Sequence, residues 1–127
     1  MSDPRAILAR MDRDGVWRSG ERAAWEVYRS RGYRLVARNW RCPLGELDLV
    51  VMRGDLLVFC EVKTRASARL GGPHDAVTAS KRRKLRQLAE AFVSSRRPTD
   101  SSVRFDVASV SWRVGSPPAV HLFEDAF

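Results

Sequence analysis

The stretch Gly45–Lys63, GELDLVVMRGDLLVFCEVK, decides how the chain folds. It contains two runs of β-forming residues, Glu46–Met52 and Leu56–Thr64, on either side of a short turn at Arg53-Gly54-Asp55. Both runs are nearly continuous in apolar residues (Leu49–Met52 and Leu56–Cys60), the pattern of strands covered on both faces. Their charges gather at one end. Strand alternation places Glu46, Asp48 and Val50 on one face of the first strand, and Leu57, Phe59, Glu61 and Lys63 on one face of the second. A two-residue turn at Arg53-Gly54 pairs Asp48 with Phe59 and leaves Glu61 diagonal to it, whereas a four-residue turn sets Asp48 directly opposite Glu61. Either register gathers Glu46, Asp48, Glu61 and Lys63 on one face, and a three-residue turn separates the two carboxylates.

Working outward, a helix is expected from Gly20, with Ala23, Ala24, Val27 and Tyr28 at helical spacing and Gly32 just past its end. A first strand spans Tyr33–Trp40, followed by the loop Arg41-Cys42-Pro43-Leu44-Gly45. Ala66–Pro73 reads as loop. A second helix runs from about Thr78 to Ser94, with the stripe Leu85, Leu88, Ala89 and Phe92 and with Pro98 beyond its end. Val103–Trp112 alternates as a further strand, and Ala119–Phe123 is a weaker closing one. The order α-β-β-β-α-β(-β) predicts an α/β fold, a mixed sheet flanked by helices. Residues 1–19 lack periodicity and read as an irregular lead-in, leaving one domain over residues 20–127.

The chain has 127 residues, 23 of them Lys or Arg against 15 Asp or Glu, a formal net charge of +8. Such a balance favours polyanions, nucleic acid before an anionic membrane surface. No apolar run approaches the roughly 20 residues of a bilayer-spanning helix, and no helix joins a basic face to a large apolar one, so no membrane partner is expected. Met1–Gly20 lacks the apolar segment of a secretory signal. Cys42 and Cys60 form no CxxC pair, which argues against zinc and against a disulfide scaffold, and suits a reducing cytoplasm. Only Lys63, Lys81 and Lys84 are lysines; the other 20 cations are arginines, so each lysine invites a local reason.

Carboxylates at the end of doubly covered strands sit at a partly desolvated crevice. Held there together they raise one another's pKa unless a cation joins them. Lys63 is one such cation. A divalent metal is the other, and Mg²⁺ favours one or two carboxylates with waters and phosphate oxygens. An acidic metal site beside an ammonium, in a basic chain, points to phosphodiester hydrolysis, in which the lysine orients the attacking water or stabilises developing charge. The same residues also fit a plain cross-strand ion pair at a sheet edge.

Asp48 and the triplet Glu61-Val62-Lys63, with twelve residues (49–60) between the two acids, resemble the D…(D/E)xK signature of the restriction-endonuclease-like nuclease superfamily. More closely, six blocks over residues 20–110 resemble the YraN family of small bacterial proteins, which is akin to archaeal Holliday-junction resolvases. They are Gly20-Glu21, Gly32-Tyr33, Arg38-Asn39-Trp40-Arg41, Gly45–Val50, Phe59–Arg65 and Arg104-Phe105-Asp106-Val107. The resemblance implies a restriction-endonuclease-like core, with Asp48 and Glu61 as ligands of Mg²⁺ (or Mn²⁺), Lys63 as the catalytic lysine and Glu21 as a helix glutamate near the metal. Glu21 shares a helix face with Ala24, Trp25 and Tyr28; it equally suits a first-turn acid at a helix N-terminus. Glu46 either supports the metal carboxylates or is only a structural partner. Leu47 stands where the superfamily carries a proline.

At 100° per residue Lys81 falls within about 40° of Leu85, Leu88 and Phe92, so it is expected to reach the crevice and contact phosphate. The resembled family also carries a lysine there. Arg82, Arg83, Lys84 and Arg86 are a backbone-binding face or merely a soluble one, and Arg65 and Arg69 are placed to clamp the substrate. The four tryptophans read as core or core edge, Cys60 as a buried small hydrophobe, Asp106 as structural and paired with Arg104 or a sheet neighbour, and His74 as incidental. The expected function is a metal-dependent endonuclease-like protein acting on DNA, with branched or structured DNA as a candidate substrate. The alternative is a nucleic-acid-binding module that keeps the fold and cleaves nothing. A homodimer follows only from the resolvase analogy, since junction resolution needs two active sites.

Overall fold

Why two helices and five strands assemble here is clearest from the central hairpin. The strands β2 (Gly45–Arg53) and β3 (Leu56–Arg65) pair antiparallel, closed by Arg53 opposite Leu56, so the loop is the two-residue turn Gly54-Asp55. Gly54 has φ 60°, the positive value that a primed turn asks of its first central residue. The pairs Met52↔Leu57, Val51↔Val58, Val50↔Phe59 and Leu49↔Cys60 follow. The resulting register is the one that the longer turn would have produced, reached with a shorter loop because Arg53 and Leu56 join the ladder.

The structure, a computed structural model, describes residues 20–65, 78–96, 101–111 and 115–127. The element order is α1 (Glu21–Ser30), β1 (Arg34–Cys42), β2, β3, α2 (Ala79–Ser95), β4 (Ser102–Ser111) and β5 (Ala119–Phe123). One mixed sheet has the strand order β1-β2-β3-β4-β5, antiparallel throughout except for β3 and β4, which run parallel across the α2 connection. This is an α/β fold consistent with a restriction-endonuclease-like core. The strand β1 continues to Cys42, which pairs with Gly45, so the expected loop contracts to Pro43-Leu44. The lead-in, the loop over residues 66–73, Trp17, Arg69, His74, Pro98 and Trp112 lie outside the described residues.

Each strand of the hairpin feeds two cores. Leu49, Val51, Val58 and Cys60 pack with Ala24, Trp25 and Tyr28 of α1. Val50, Leu57 and Phe59 pack with Leu85, Leu88, Ala89 and Phe92 of α2. Neighbouring residues thus point into opposite layers, which is why the runs lack polar interruptions. The helix α1 ends as its sequence suggests. Tyr33 N–H donates to Tyr28 O and Gly32 N–H to Arg29 O, both at 3.1 Å, with Gly32 at φ 87°. This is a Schellman motif, and its apolar closure is the Tyr28–Tyr33 ring contact at 5.1 Å. The helix α2 starts at Thr78, whose side chain accepts from Lys81 N–H at 3.2 Å.

Asp106 is a fully buried acid in β4. It accepts from Tyr28 Oη at 2.6 Å, Arg104 Nε at 2.8 Å and Asp125 N–H at 3.0 Å. These bonds tie α1, β4 and the segment after β5 together. Paired and hydrogen-bonded, the charge is tolerated in the core, and its structural reading stands.

Gly20 sets where α1 begins. Its φ of 90° is left-handed, and a Cβ there would run into Thr64 Oγ1 of β3 and touch Val110 of β4. Gly20→Ala is therefore expected to cost about 2–3 kcal/mol in urea denaturation, from backbone strain plus overpacking. Gly54→Ala, with open space around its Cβ, is expected to cost only about 1 kcal/mol. Equal losses would show that the close approach of α1 to the sheet is not what Gly20 secures.

Candidate functional site

Extending the register from Leu49↔Cys60 by one step sets Asp48 opposite Glu61. The ladder itself stops there. Val62 N–H instead donates to Asp48 Oδ2 at 2.9 Å, so a side chain replaces the backbone acceptor. On the other side, the pairs Arg38↔Leu49 and Trp40↔Leu47 flank Asn39 and Asp48. Asn39 has φ 49°, a left-handed conformation that asparagine tolerates better than most residues. Leu47 and Val50, three positions apart, both enter the α2-side core. The strict alternation expected through Glu46–Val50 is therefore broken at Asp48. Asn39 is the one residue at this site to which sequence reasoning gave no role. The available signal was an asparagine in the middle of a strand.

Glu61 is the hub. Its Oε1 lies 3.3 Å from Lys63 Nζ, two positions on in β3, and 3.3 Å from Lys81 Nζ in the first turn of α2. The helical phase that places Lys81 beside the core stripe thus brings it onto the strand acid. Glu21 is buried at the start of α1 on the face it shares with Ala24, Trp25 and Tyr28. It is close enough for its charge to act on Asp48. Glu46 places its carboxylate 2.6 Å from Arg41 Nε in a cross-strand pair. Arg65 closes β3. Arg82 is half-buried, while Arg83, Lys84 and Arg86 are exposed along α2.

The electrostatics follow from crowding. Burial first, then the neighbouring Glu61 carboxylate, push Asp48 up to about 7, against the Val62 N–H that favours its ionised form. Lys63 is pushed below its ordinary value by burial and by the Lys81 ammonium, although Glu61 pulls the other way. Burial also works against the Lys81 charge, but the Glu61 carboxylate draws its pKa above the ordinary value. Beneath the acids lies an apolar floor of Leu47, Phe59, Leu85 and Phe105, enclosing a cavity of only ≈ 10 Å³ beside Asp48 and Glu61. That is room for about one water. Two larger hollows, ≈ 340 and ≈ 610 Å³, are lined by none of Asp48, Glu61, Lys63 and Lys81. The cluster is thus offered to an extended surface rather than enclosed around a small ligand.

Among the described residues no three His, Cys, Asp or Glu side chains form a metal cage, and both cysteines are free. No helix there is long and apolar enough to cross a membrane. Oxygen donors are present as the facing pair Asp48 and Glu61.

Fold and site together define an α/β protein that carries a carboxylate–lysine cluster at one end of a mixed sheet. The chain belongs to UPF0102, the family described as "Uncharacterised protein family UPF0102", whose model matches residues 20–110. A UPF0102 protein of Caldicellulosiruptor saccharolyticus is 38% identical over 92% of this chain and 100% of its own length. One from Moorella thermoacetica is 46% identical over 72% of this chain and 76% of its own. One from Pelotomaculum thermopropionicum is 40% identical over 100% of both.

Because the Asp48 pKa is raised on folding, the folded chain binds this proton more tightly than the unfolded one. The stabilisation is complete below the ordinary carboxylate range and is lost as pH climbs toward 7. Asp48→Asn removes that loss. Its melting temperature should match wild type near pH 4 and exceed it by roughly 5 °C at pH 8. A constant gap across this range would show that Asp48 does not carry the burden.

Proposed function

We propose that this chain is a metal-dependent, endonuclease-like protein of the restriction-endonuclease-like superfamily that hydrolyses phosphodiester bonds of DNA. Branched or structured DNA is its favoured substrate. The observation that carries the reading is the convergence of Asp48, Glu61, Lys63 and Lys81 at one open site. These are two facing carboxylates with two ammonium groups, on a chain of net charge +8.

The donor set fits a hard divalent cation. Asp48 and Glu61 offer only oxygens, and the repulsion that raises Asp48 is what a cation between them relieves. Mg²⁺ or Mn²⁺ held by this pair supplies Lewis acidity toward a phosphate oxygen. The remaining work falls to the chain. Lys63, with its lowered pKa, orients the attacking water or stabilises negative charge on the phosphorus oxygens. Lys81 contacts a neighbouring phosphate, and Arg65, Arg82 and Arg69 extend that contact along the backbone. Glu21 supports the acidic pair from α1. The surplus of arginine gathers the polyanion, with a strong dependence on salt.

Cleavage of both strands of a junction calls for two such sites, and hence a homodimer. Two free cysteines suit a reducing cytoplasm. One observation favours the second reading, a binding module without cleavage: the two ammonium groups already neutralise Glu61.

The test compares a four-way junction, linear duplex and single-stranded DNA, each with Mg²⁺ or Mn²⁺. The chain should cleave at least one of them. Asp48→Asn should lower the rate roughly 100-fold or more while binding is retained or tightened. Tight binding with no cleavage of any substrate would decide for the binding module.

A further inference from the structure

A single oxygen, Glu61 Oε1, holds two ammonium groups from different elements, and they are not equivalent. Lys63 is carried on the same strand, two positions away, so its approach is built into β3. Lys81 comes from α2 and reaches across to β3 at 3.3 Å. Nothing in its own helix favours a cation there. The positive end of the helix dipole lies at that first turn, which holds no acidic residue, and Lys81 opens the run Lys81-Arg82-Arg83-Lys84. Thr78 fixes the backbone of the turn by accepting from Lys81 N–H, so the side chain can move without unwinding the helix. The Lys81 side chain is 36% exposed and that of Glu61 only 11%, so the mobile partner is the lysine.

We infer that the Lys81–Glu61 contact is a latch that a divalent cation opens, handing the Lys81 ammonium from the carboxylate to a phosphate of the polyanion. This rests on the reading of Asp48 and Glu61 as cation ligands and adds the coupling between cation and nucleic acid. A doubly charged ion takes the Glu61 oxygen from a singly charged one. The displaced ammonium is then left beside Lys63 and at a helix N-terminus, both of which repel it, and an anion is the partner that relieves this. Cation binding therefore strengthens phosphate binding. By linkage, bound phosphate strengthens cation binding by the same factor. Until the cation arrives, Lys81 keeps Glu61 neutralised and the site closed to adventitious phosphate.

The chain makes the test clean, because its only lysines are Lys63, Lys81 and Lys84. Lys84 is exposed one turn further along α2 and serves as an internal reference. Brief acylation of the full chain with acetic anhydride, followed by peptide mass spectrometry, reads each lysine separately. Without divalent cation Lys81 should react about tenfold more slowly than Lys84; with Mn²⁺ the two rates should come within about threefold. In parallel, Mn²⁺ affinity is read by electron paramagnetic resonance of the free ion. Lys81→Met should tighten Mn²⁺ binding about tenfold, whereas Lys84→Met, which removes the same charge from the same helix, should change it less than about twofold. If Mn²⁺ binds the wild-type chain but leaves Lys81 acylation unchanged, or if the two variants bind it equally, the latch is overturned and the cation site stands. If no Mn²⁺ binds at all, the cation site falls and the latch falls with it.

Discussion

The register of the β2–β3 hairpin is the constraint on which everything else depends. Six adjacent core positions, Leu49, Val50, Val51, Val58, Phe59 and Cys60, alternate between two helix-covered layers, and all are buried. A slip of one residue would exchange these side chains between layers of different shape. At roughly 1.5–3 kcal/mol for each buried aliphatic or aromatic side chain, such a slip exceeds the whole stability of a typical domain. The turn Gly54-Asp55 and the two cores therefore specify the same register. Only in that register, carried one step beyond the ladder, do Asp48 and Glu61 face each other. The site inherits its geometry from packing and needs no local device to bring the acids together.

What local devices do is manage the consequences. Two half-buried carboxylates side by side are costly, and the surrounding elements answer in different ways. The Val62 N–H stabilises Asp48 directly. Lys63 and Lys81 share Glu61. Asn39, in its left-handed conformation, stands where the β1–β2 ladder lapses opposite Asp48. Further away, the Asp106 network and the close approach of Gly20 hold α1 against β3 and β4, which keeps Glu21 within electrostatic reach of Asp48. The molecule thus carries two acidic centres with opposite solutions, one fully buried and one half-buried. Asp106 accepts from four donor groups on three residues and has a fixed structural role, whereas Asp48 has one backbone donor and a raised pKa. The first is saturated; the second keeps capacity for a further positive partner.

Much of this was legible in the sequence because it depends on short-range periodicity. The doubly apolar strands, the inward face of Glu21 and the phase of Lys81 relative to Leu85, Leu88 and Phe92 all follow from spacings of two, three or four residues. The remainder depends on partners that no local pattern names. Arg104, two positions from Asp106 on the same strand, is a partner that spacing suggests and the structure shows, but Tyr28 meets Asp106 across 78 positions, which no local pattern names. The β1–β2 turn contracts to Pro43-Leu44 because Arg41 pairs with Glu46 and Cys42 with Gly45, a choice made between strands rather than along either one. The same pairing draws Glu46 to Arg41. Periodicity cannot see the break in alternation between Leu47 and Val50, both of which enter the α2-side core.

The choice of cation at Glu61 also has a physical reading. Arginine outnumbers lysine 20 to 3, yet two of the three lysines meet on one carboxylate oxygen. A guanidinium presents a rigid planar fork that grips a carboxylate through two parallel hydrogen bonds, and its pKa lies too high for it to give up a proton. The contact that Arg104 makes with Asp106 is of this kind, with Nε and Nη2 at 2.8 and 2.9 Å. An ammonium is a compact point charge with three donors on a flexible stem. Two of them can share one oxygen, and either can leave without dismantling a planar pair. The chain therefore uses its fork where an acid must be locked in place and its point charges where an acid must remain available. In a protein so rich in arginine, the exceptions mark the contacts built to exchange.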